Sequence, residues 1–265
     1  MMRSLWTAAS GMRAQQVNVD TIANNVANIN TIGYKSQQAS FKSLLYQNLQ
    51  STSTNNAGEN KPVAAEVGLG SRVAAITSTF TQGNLTHVEN PFSVALEGDG
   101  FFQIRTESGE LQYTRDGSFE ISPVANGNML CTSDGNPVLD AYGNQIILPS
   151  NRVATDLVVN QDGTLAFPDG TGNPAVITDA NGRPVKFGIY QFNNPAGLSK
   201  EGSNNYSVTV ASGAAVAENG NAAVKQTKTH QYYTEASNVD VANEMVNLIV
   251  AQRAYEMNSK AIQCK

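Results

Sequence analysis

Residues 2–29 read MRSLWTAASGMRAQQVNVDTIANNVANI, and residues 238–263 read NVDVANEMVNLIVAQRAYEMNSKAIQ. These stretches decide the fold, because both repeat apolar residues at helical spacing and the chain between them does not. In the first, Leu5, Met12, Val19 and Val26 share one position of a seven-residue repeat, and Ala8, Gln15, Ile22 and Ile29 share another. Such a repeat keeps one stripe of an α-helix turned toward a neighbour, so a coiled-coil-like helix is expected. It should stop near Asn30, since Gly33 follows closely and glycine adopts the left-handed conformation that ends helices. In the second stretch, Val241, Leu248, Tyr255 and Ile262 occupy one seam position, and Met245, Gln252 and Ser259 the other. Ser237 with Asp240 three residues on resembles a capping box. Val246, Ile249 and Val250 widen the apolar face beyond a two-helix seam. Full burial of one aliphatic side chain contributes about 1.5–3 kcal/mol. The excess face therefore predicts a further surface, either neighbouring subunits or the interior of the chain's own globule.

At 265 residues the chain has length for one or two domains with a real core. Only 15% of residues are charged, and Gly, Asn, Ser and Thr fill the remainder, which is not the composition of a disordered chain. A net charge of −5 argues against nucleic acid as a partner. No apolar run approaches a membrane span. Ser10, Arg13, Gln15, Gln16 and Asn18 interrupt the start, so no cleavable secretory signal is expected. Cys131 and Cys264 form neither a metal-ligand pattern nor a disulfide framework.

From Tyr46 to Glu66 periodicity is lost, and a long polar loop is expected there. From about Val73 to Val210, turn dipeptides recur: Asp99-Gly100, Asp116-Gly117, Asn126-Gly127, Asp134-Gly135, Asp162-Gly163 and Asn181-Gly182. Short β-rich runs lie between them, such as Phe101 to Arg105, Gln145 to Leu148 and Lys186 to Tyr190, and this alternation signals antiparallel hairpins. The expected fold class is α+β, a discontinuous terminal-helix (coiled-coil-like) domain flanking an inserted all-β domain. The expected segments are an N-terminal core helix over 1–34, an extended connecting region over 35–83, an all-β domain over 84–221, and a connecting segment with the C-terminal core helix over 222–265.

No catalytic, cofactor-binding or metal-binding residue is assigned, and no cofactor is expected. His87 and His230 lack a nucleophile or carboxylate at a recognisable spacing and read as structural. Gly98-Asp99-Gly100 precedes strand residues rather than a helix and reads as a tight turn, not a phosphate loop. Asp134, Asn136 and Asp140 lack the glycine and terminal glutamate of a calcium loop, and Pro137 interrupts them, so they read as solvated turn residues. Tyr232 and Tyr233 are expected to pack beneath the β-domain.

Several of these segments resemble bacterial flagellar rod and hook proteins. Ala23-Asn24-Asn25-Val26-Ala27-Asn28, followed by Thr31-Ile32-Gly33-Tyr34-Lys35, is similar to the family's N-terminal signature. Gly98 to Gln103 and Tyr113 to Phe119 resemble its β-domain motifs, and Ser237 to Met245 with Gln252 to Lys260 resemble its closing helix. Phe41 to Gln47 and Thr81 to Leu85 are similar to the distal rod members. The loop over Tyr46 to Glu66 falls where those members carry a distinguishing insertion.

The resemblance implies a non-enzymatic subunit of the distal rod. Such subunits polymerise through their terminal helices into a rigid hollow drive shaft that carries torque to the hook, with the β-domain facing outward. It implies self-association into a helical homopolymer, with proximal rod proteins, the hook protein, the surrounding P- and L-ring proteins and the export apparatus as further partners. The implied location is the basal body in the periplasmic space, reached without a cleaved signal and by unfolded export. The assembly interface would comprise Leu5, Met12, Val19, Ile22, Asn24, Asn25, Val26, Asn28, Ile29, Val241, Met245, Leu248, Ile249, Gln252, Tyr255 and Ile262. Asn24, Asn25 and Asn28 offer amides that would fix helix register. The resemblance also implies further helical turns beyond Lys260, where this sequence ends at Lys265, and cysteine-poor subunits, from which Cys264 departs. Competing readings are a proximal rod or hook-type subunit of the same family, a β-rich hydrolase or carbohydrate-binding module with helical termini, and an adhesin-like surface protein.

Overall fold

The computed structural model describes residues 2–50, 65–125, 127–150, 152–168, 174–179, 182–221 and 224–263. The fold is α+β, with two long helices, one at each end, and many short antiparallel strands between them. The chain divides into two compact units. One gathers residues 1–27, 37–79 and 239–265, and the other residues 28–36 and 80–238.

The first unit holds both helices, α1 (Met2–Ala27) and α2 (Val241–Gln263). It also holds four strands: β1 (Gln37–Ser43), β2 (Tyr46–Gln50), β3 (Ala65–Gly68) and β4 (Ser71–Ser78). β1 pairs antiparallel with β4, with a register shift at Ser40/Phe41, and β2 pairs antiparallel with β3. The expected loop over Tyr46 to Glu66 is corrected at both ends, because Tyr46–Gln50 and the start of Ala65–Gly68 form this ribbon. Alternating polar side chains satisfy a strand as readily as a loop once a partner takes the backbone groups. The remainder of that loop, residues 51–64, lies outside the described residues.

The start of α2 differs from the expected capping box. Asp240, not Ser237, is the capping residue: its Oδ1 accepts from Ala242 N at 3.0 Å, and its carbonyl accepts from Glu244 N at 3.0 Å. A carboxylate there satisfies an otherwise unpaired N–H and complements the positive end of the helix.

The second unit is built on a six-stranded antiparallel sheet. Its strands run in the order 199–202, 205–207, 111–114, 101–105, 189–191 and 216–217. Strand Phe101–Arg105 is buried on both faces. Phe102 and Ile104 enter a core with Leu96, Phe119, Leu130, Leu165 and Phe187. On the opposite face, Phe101 joins Tyr113, Phe192 and Tyr206. Ring centroids there lie 5.0–6.0 Å apart in edge-to-face arrangements, the geometry that aligns positive ring edges with negative faces.

Among the described residues of this unit, one hydrogen-bond pattern recurs five times. Thr106, Thr132, Asp140, Asn160 and Asp179 each donate N–H to the carbonyl four residues on, and each carbonyl accepts from a glycine N–H three residues on. Those glycines, 109, 135, 143, 163 and 182, all have φ between +73° and +86°. A type I turn closed by a left-handed glycine returns the chain antiparallel, and a Thr, Asp or Asn at the first position favours it. Two expected hairpins are corrected. Asp99-Gly100 and Asp116-Gly117 instead move the chain between sheets, since strand 94–97 pairs with 228–231 and Ser118 bridges Ser93. Asp140 is also corrected from solvated to buried: its Oδ1 accepts from Tyr142 N at 2.8 Å and Asn144 N at 2.7 Å.

The two tyrosines expected to pack beneath the β-domain are exposed. Strand 228–231 pairs with 94–97, whereas strand 233–235 pairs with 85–87, so the chain changes partners at Tyr232. That change is made with Tyr232 at φ +65°, which turns its phenol outward. His87 lies 5.3 Å from Tyr233 between ring centroids, and His230 Nε2 lies 2.7 Å from Glu97 Oε2. The buried Cys131 is unpaired, and Cys264 lies outside the described residues.

Candidate assembly surface

The two helices of the first unit run antiparallel, and two contacts fix their register. Asn25 Nδ2 donates to Glu244 Oε1 at 3.0 Å. Gly11 sits so close to α2 that an added Cβ would lie 2.9 Å from Asn258 Nδ2. Gly11 and Asn25 are fourteen residues apart (25 − 11), as are Glu244 and Asn258 (258 − 244). Fourteen residues complete close to four helical turns, so both contacts fall on one face of each helix. Small residues line the crossing: Ala8 and Ala14 on α1 and Ala251 on α2 are buried. Their lack of side-chain bulk allows the close approach.

Asn25 does more than bridge the helices. Its Nδ2 also donates to Gln37 O at 2.8 Å, and its Oδ1 accepts from Gln37 N at 2.9 Å. The side chain thus pairs with the start of β1 as a backbone unit would. An amide carries both donor and acceptor, so Asn fits where Asp or Leu would leave a group unpaired.

Along α2, Val241, Met245, Val246, Ile249, Val250, Tyr255 and Met257 are all exposed; Ile249 is 56% and Val250 63% exposed. An exposed helix face of this apolarity is unusual on a protein surface. Beside it, Gln16, Val19, Gln252, Tyr255 and Glu256 line an open groove of about 370 Å³. A second groove of about 510 Å³ runs along α1, from Trp6, Arg13 and Val17 to Leu44, Arg72 and Val73. The β2–β3 ribbon and its flanks expose Leu45, Tyr46, Leu49, Val67 and Leu69.

The expected interface residues divide accordingly. Val241, Met245, Ile249, Gln252 and Tyr255 are exposed, as is Asn24. Leu5, Met12, Val19, Val26, Leu248 and Ile262 are half-buried, and Ile22 and Asn25 are buried. Asn28 and Ile29 belong to the other unit, where Asn28 Oδ1 accepts from Thr31 Oγ1 at 3.1 Å. Of the two seam positions read for α2, Leu248, Ser259 and Ile262 are half-buried and Val241, Met245, Gln252 and Tyr255 exposed, while Ala251 is buried and Glu244 and Asn258 make the contacts to α1.

Sequence reasoning missed a buried charge centre in the second unit. Lys35 Nζ lies 2.6 Å from Glu235 Oε1, and Arg115 Nη1 lies 3.4 Å from Glu235 Oε2, with all three side chains at most 1% exposed. Lys35 Nζ also donates to Thr81 O at 2.8 Å, and Glu235 Oε1 accepts from Gly83 N at 2.8 Å. Arg115 lies over the Phe101 ring, 4.9 Å from its centroid, and its Nε has no hydrogen-bond partner among the described residues. Burial lowers the pKa of both cations, while the Glu235 carboxylate acts against that shift. Nearby Tyr206 is pushed up to about 12 by burial. The only signal in the sequence was three charges inside otherwise motif-like segments far apart in the chain.

Three family models match the chain. Residues 5–35 match the flagella basal body rod protein model, and residues 95–167 match the flagellar hook protein FlgE/F/G D1 domain. Residues 230–263 match the flagellar basal body rod FlgEFG protein C-terminal model. Each matched segment supplies one member of the buried charge centre. Among curated proteins, the chain is 42% identical to the flagellar basal-body rod protein FlgG of Borreliella burgdorferi, covering 99% of this chain and 94% of that protein. It is 40% identical to FlgG of Agrobacterium fabrum, covering 98% and 94%, and 34% identical to FlgG of Bacillus subtilis, covering 99% and 94%.

Proposed function

Because the chain belongs to the FlgG family of flagellar basal-body rod proteins, we propose that it is a structural subunit of the distal rod that polymerises through its terminal helices. The observation that carries this reading is the uncovered apolar face of α2, from Val241 through Met245, Ile249 and Val250 to Tyr255. Burying those side chains against neighbouring copies supplies the drive for assembly, at about 25 cal/mol per Å² of apolar surface. The antiparallel α1–α2 pair then acts as one rigid, coiled-coil-like element that presents the face. On this reading the subunit lies in the periplasmic part of the basal body. Proximal rod, hook and ring proteins are its neighbours, and the export apparatus delivers it.

The β2–β3 ribbon is the second contact. Its exposed Leu45, Tyr46, Leu49 and Val67 would lie against an adjacent copy and stiffen the rod. Removing residues 46–66 should leave export intact and change rod shape or rigidity; straight, unaltered rods would refute this role.

The decisive experiment replaces Ile249 and Val250 by Asp. Both are exposed, so the monomer should keep its helical content. Electron microscopy should then show no rods, and normal rods from this variant would overturn the terminal-helix model.

A further inference from the structure

The charge centre at Lys35, Arg115 and Glu235 has an unequal composition: two cations share one carboxylate, and all three side chains are excluded from water. Removing an ion from water costs several kilocalories per mole unless a partner replaces the lost hydration. The order of these residues along the chain then matters. Lys35 and Arg115 come early, and Glu235 lies two hundred residues after Lys35. Among the described residues, the other carboxylate acting on both cations is that of Asp99, and Asp99 is exposed. Tyr206 adds only a weak influence on Arg115.

Backbone contacts converge on the same point. Gly33 N donates to Glu235 O at 2.8 Å, Ala236 N donates to Asn84 O at 2.9 Å, and Asn238 Oδ1 accepts from Ser36 N at 2.7 Å. Segments 33–36 and 81–84 are thus completed by segment 235–238. Without that segment, closing this face would bury two positive charges beside the carbonyl of Thr81 and the ring of Phe101, opposed only by the exposed carboxylate of Asp99.

We propose that Glu235 is a charge gate on folding: the second unit stays open until its carboxylate docks between Lys35 and Arg115. A chain with this arrangement resists closing while its last segments are absent. An unfolded chain therefore persists through synthesis and handling and closes once complete. The gate differs from a merely stabilising ion pair in its kinetics. A gate acts at or before the folding transition state, so its loss slows folding. A late contact changes mainly the unfolding rate.

The test compares refolding and unfolding of three full-length chains: the natural sequence, Glu235→Gln, and the combination Lys35→Met/Arg115→Met/Glu235→Gln. Pulse-labelled amide exchange in strands 94–97 and 228–231 reports closure. Glu235→Gln should slow refolding at least about tenfold with little change in unfolding, or prevent it altogether, and the triple variant should restore the natural rate. Unchanged refolding of Glu235→Gln, with only faster unfolding, would overturn the proposal. So would a triple variant as slow or as unfolded as Glu235→Gln, since that would assign the effect to shape rather than charge.

Discussion

The Asn25 amide donates to Glu244 Oε1 at 3.0 Å while both its polar atoms also pair with the backbone of Gln37. One side chain thereby fixes the register of two helices and the start of β1. Asn25→Leu keeps the branched four-atom skeleton, with two bulkier methyl groups and a higher helix propensity, but leaves the Gln37 N–H and carbonyl without those partners. A buried group left unpaired costs about 1–3 kcal/mol. Asn25→Leu should therefore lower the stability of the first unit by about 2–4 kcal/mol, measured by denaturant unfolding followed by far-UV dichroism. Glu244→Gln retains an acceptor for the amide and should cost under about 1 kcal/mol. Equal losses in the two variants would show that the Gln37 pairing contributes nothing.

Gly117 and Gly143 are required for different reasons. A Cβ on Gly117 would overlap the carbonyl oxygen of Val94, a backbone atom that cannot step aside. A Cβ on Gly143 would meet nothing, and that position demands only φ +83°. Gly143→Ala should cost about 1–2 kcal/mol, the penalty of the left-handed conformation. Gly117→Ala should cost more than about 3 kcal/mol, enough to abolish cooperative melting of the second unit. Calorimetry of the two variants separates conformational strain from collision, and a reversed order would refute the assignment.

Tyr206 sets an alkaline limit. Burial raises its pKa to about 12, with Tyr34 and Glu235 adding to the shift and Arg115 opposing it. A raised folded-state pKa means the native state holds the proton where the unfolded chain has lost it. The contribution is complete below pH 10 and is lost as pH rises from about 10 to about 12. A difference of two pKa units corresponds to roughly 3 kcal/mol. Tyr206→Phe should flatten stability across this window relative to the natural chain. Lys35 titrates in both proteins and cancels from the difference. A parallel decline in both would remove Tyr206 from the account.

Tyr232 is strained where it stands. A bulky residue at φ +65° costs about 1–2 kcal/mol relative to glycine. Its N–H donates to Ser93 O at 2.9 Å and its carbonyl accepts from Val88 N at 2.8 Å, bonds that glycine retains. Tyr232→Gly should raise the melting temperature of the second unit by a few degrees. A lower melting temperature would mean that the half-exposed phenol contributes more packing than the backbone strain costs.

The sequence made the helices legible because heptad spacing is local: α1 and α2 lie where the stripes put them, to within a few residues. It also revealed that the middle is antiparallel β-structure. Three of the five recurrent turns were legible as dipeptides, at Gly135, Gly163 and Gly182; those at Gly109 and Gly143 follow Ser and Tyr and were not, and the same signal overstated Asp99-Gly100 and Asp116-Gly117. The inward face of α2 was read only in part, at Leu248, Ser259 and Ile262, because periodicity weights large apolar residues. The crossing selects small ones instead, Ala251 against the stretch of α1 between Gly11 and Asn25. The charge centre was unreadable for a related reason: nothing local marks Lys35, Arg115 and Glu235 as partners, and only the folded chain brings them together.

The β2–β3 ribbon has a consequence for the unassembled subunit. It is a two-stranded sheet, so among the described residues both of its edges offer unpaired backbone groups. Its surface is apolar at Tyr46, Leu49 and Val67. An open edge with such side chains is a template for strand addition by any extended chain, including disordered copies of itself. On the proposed reading, that edge gives the free subunit a competing route to fibrillar aggregate, which burial of the ribbon against an adjacent copy would close.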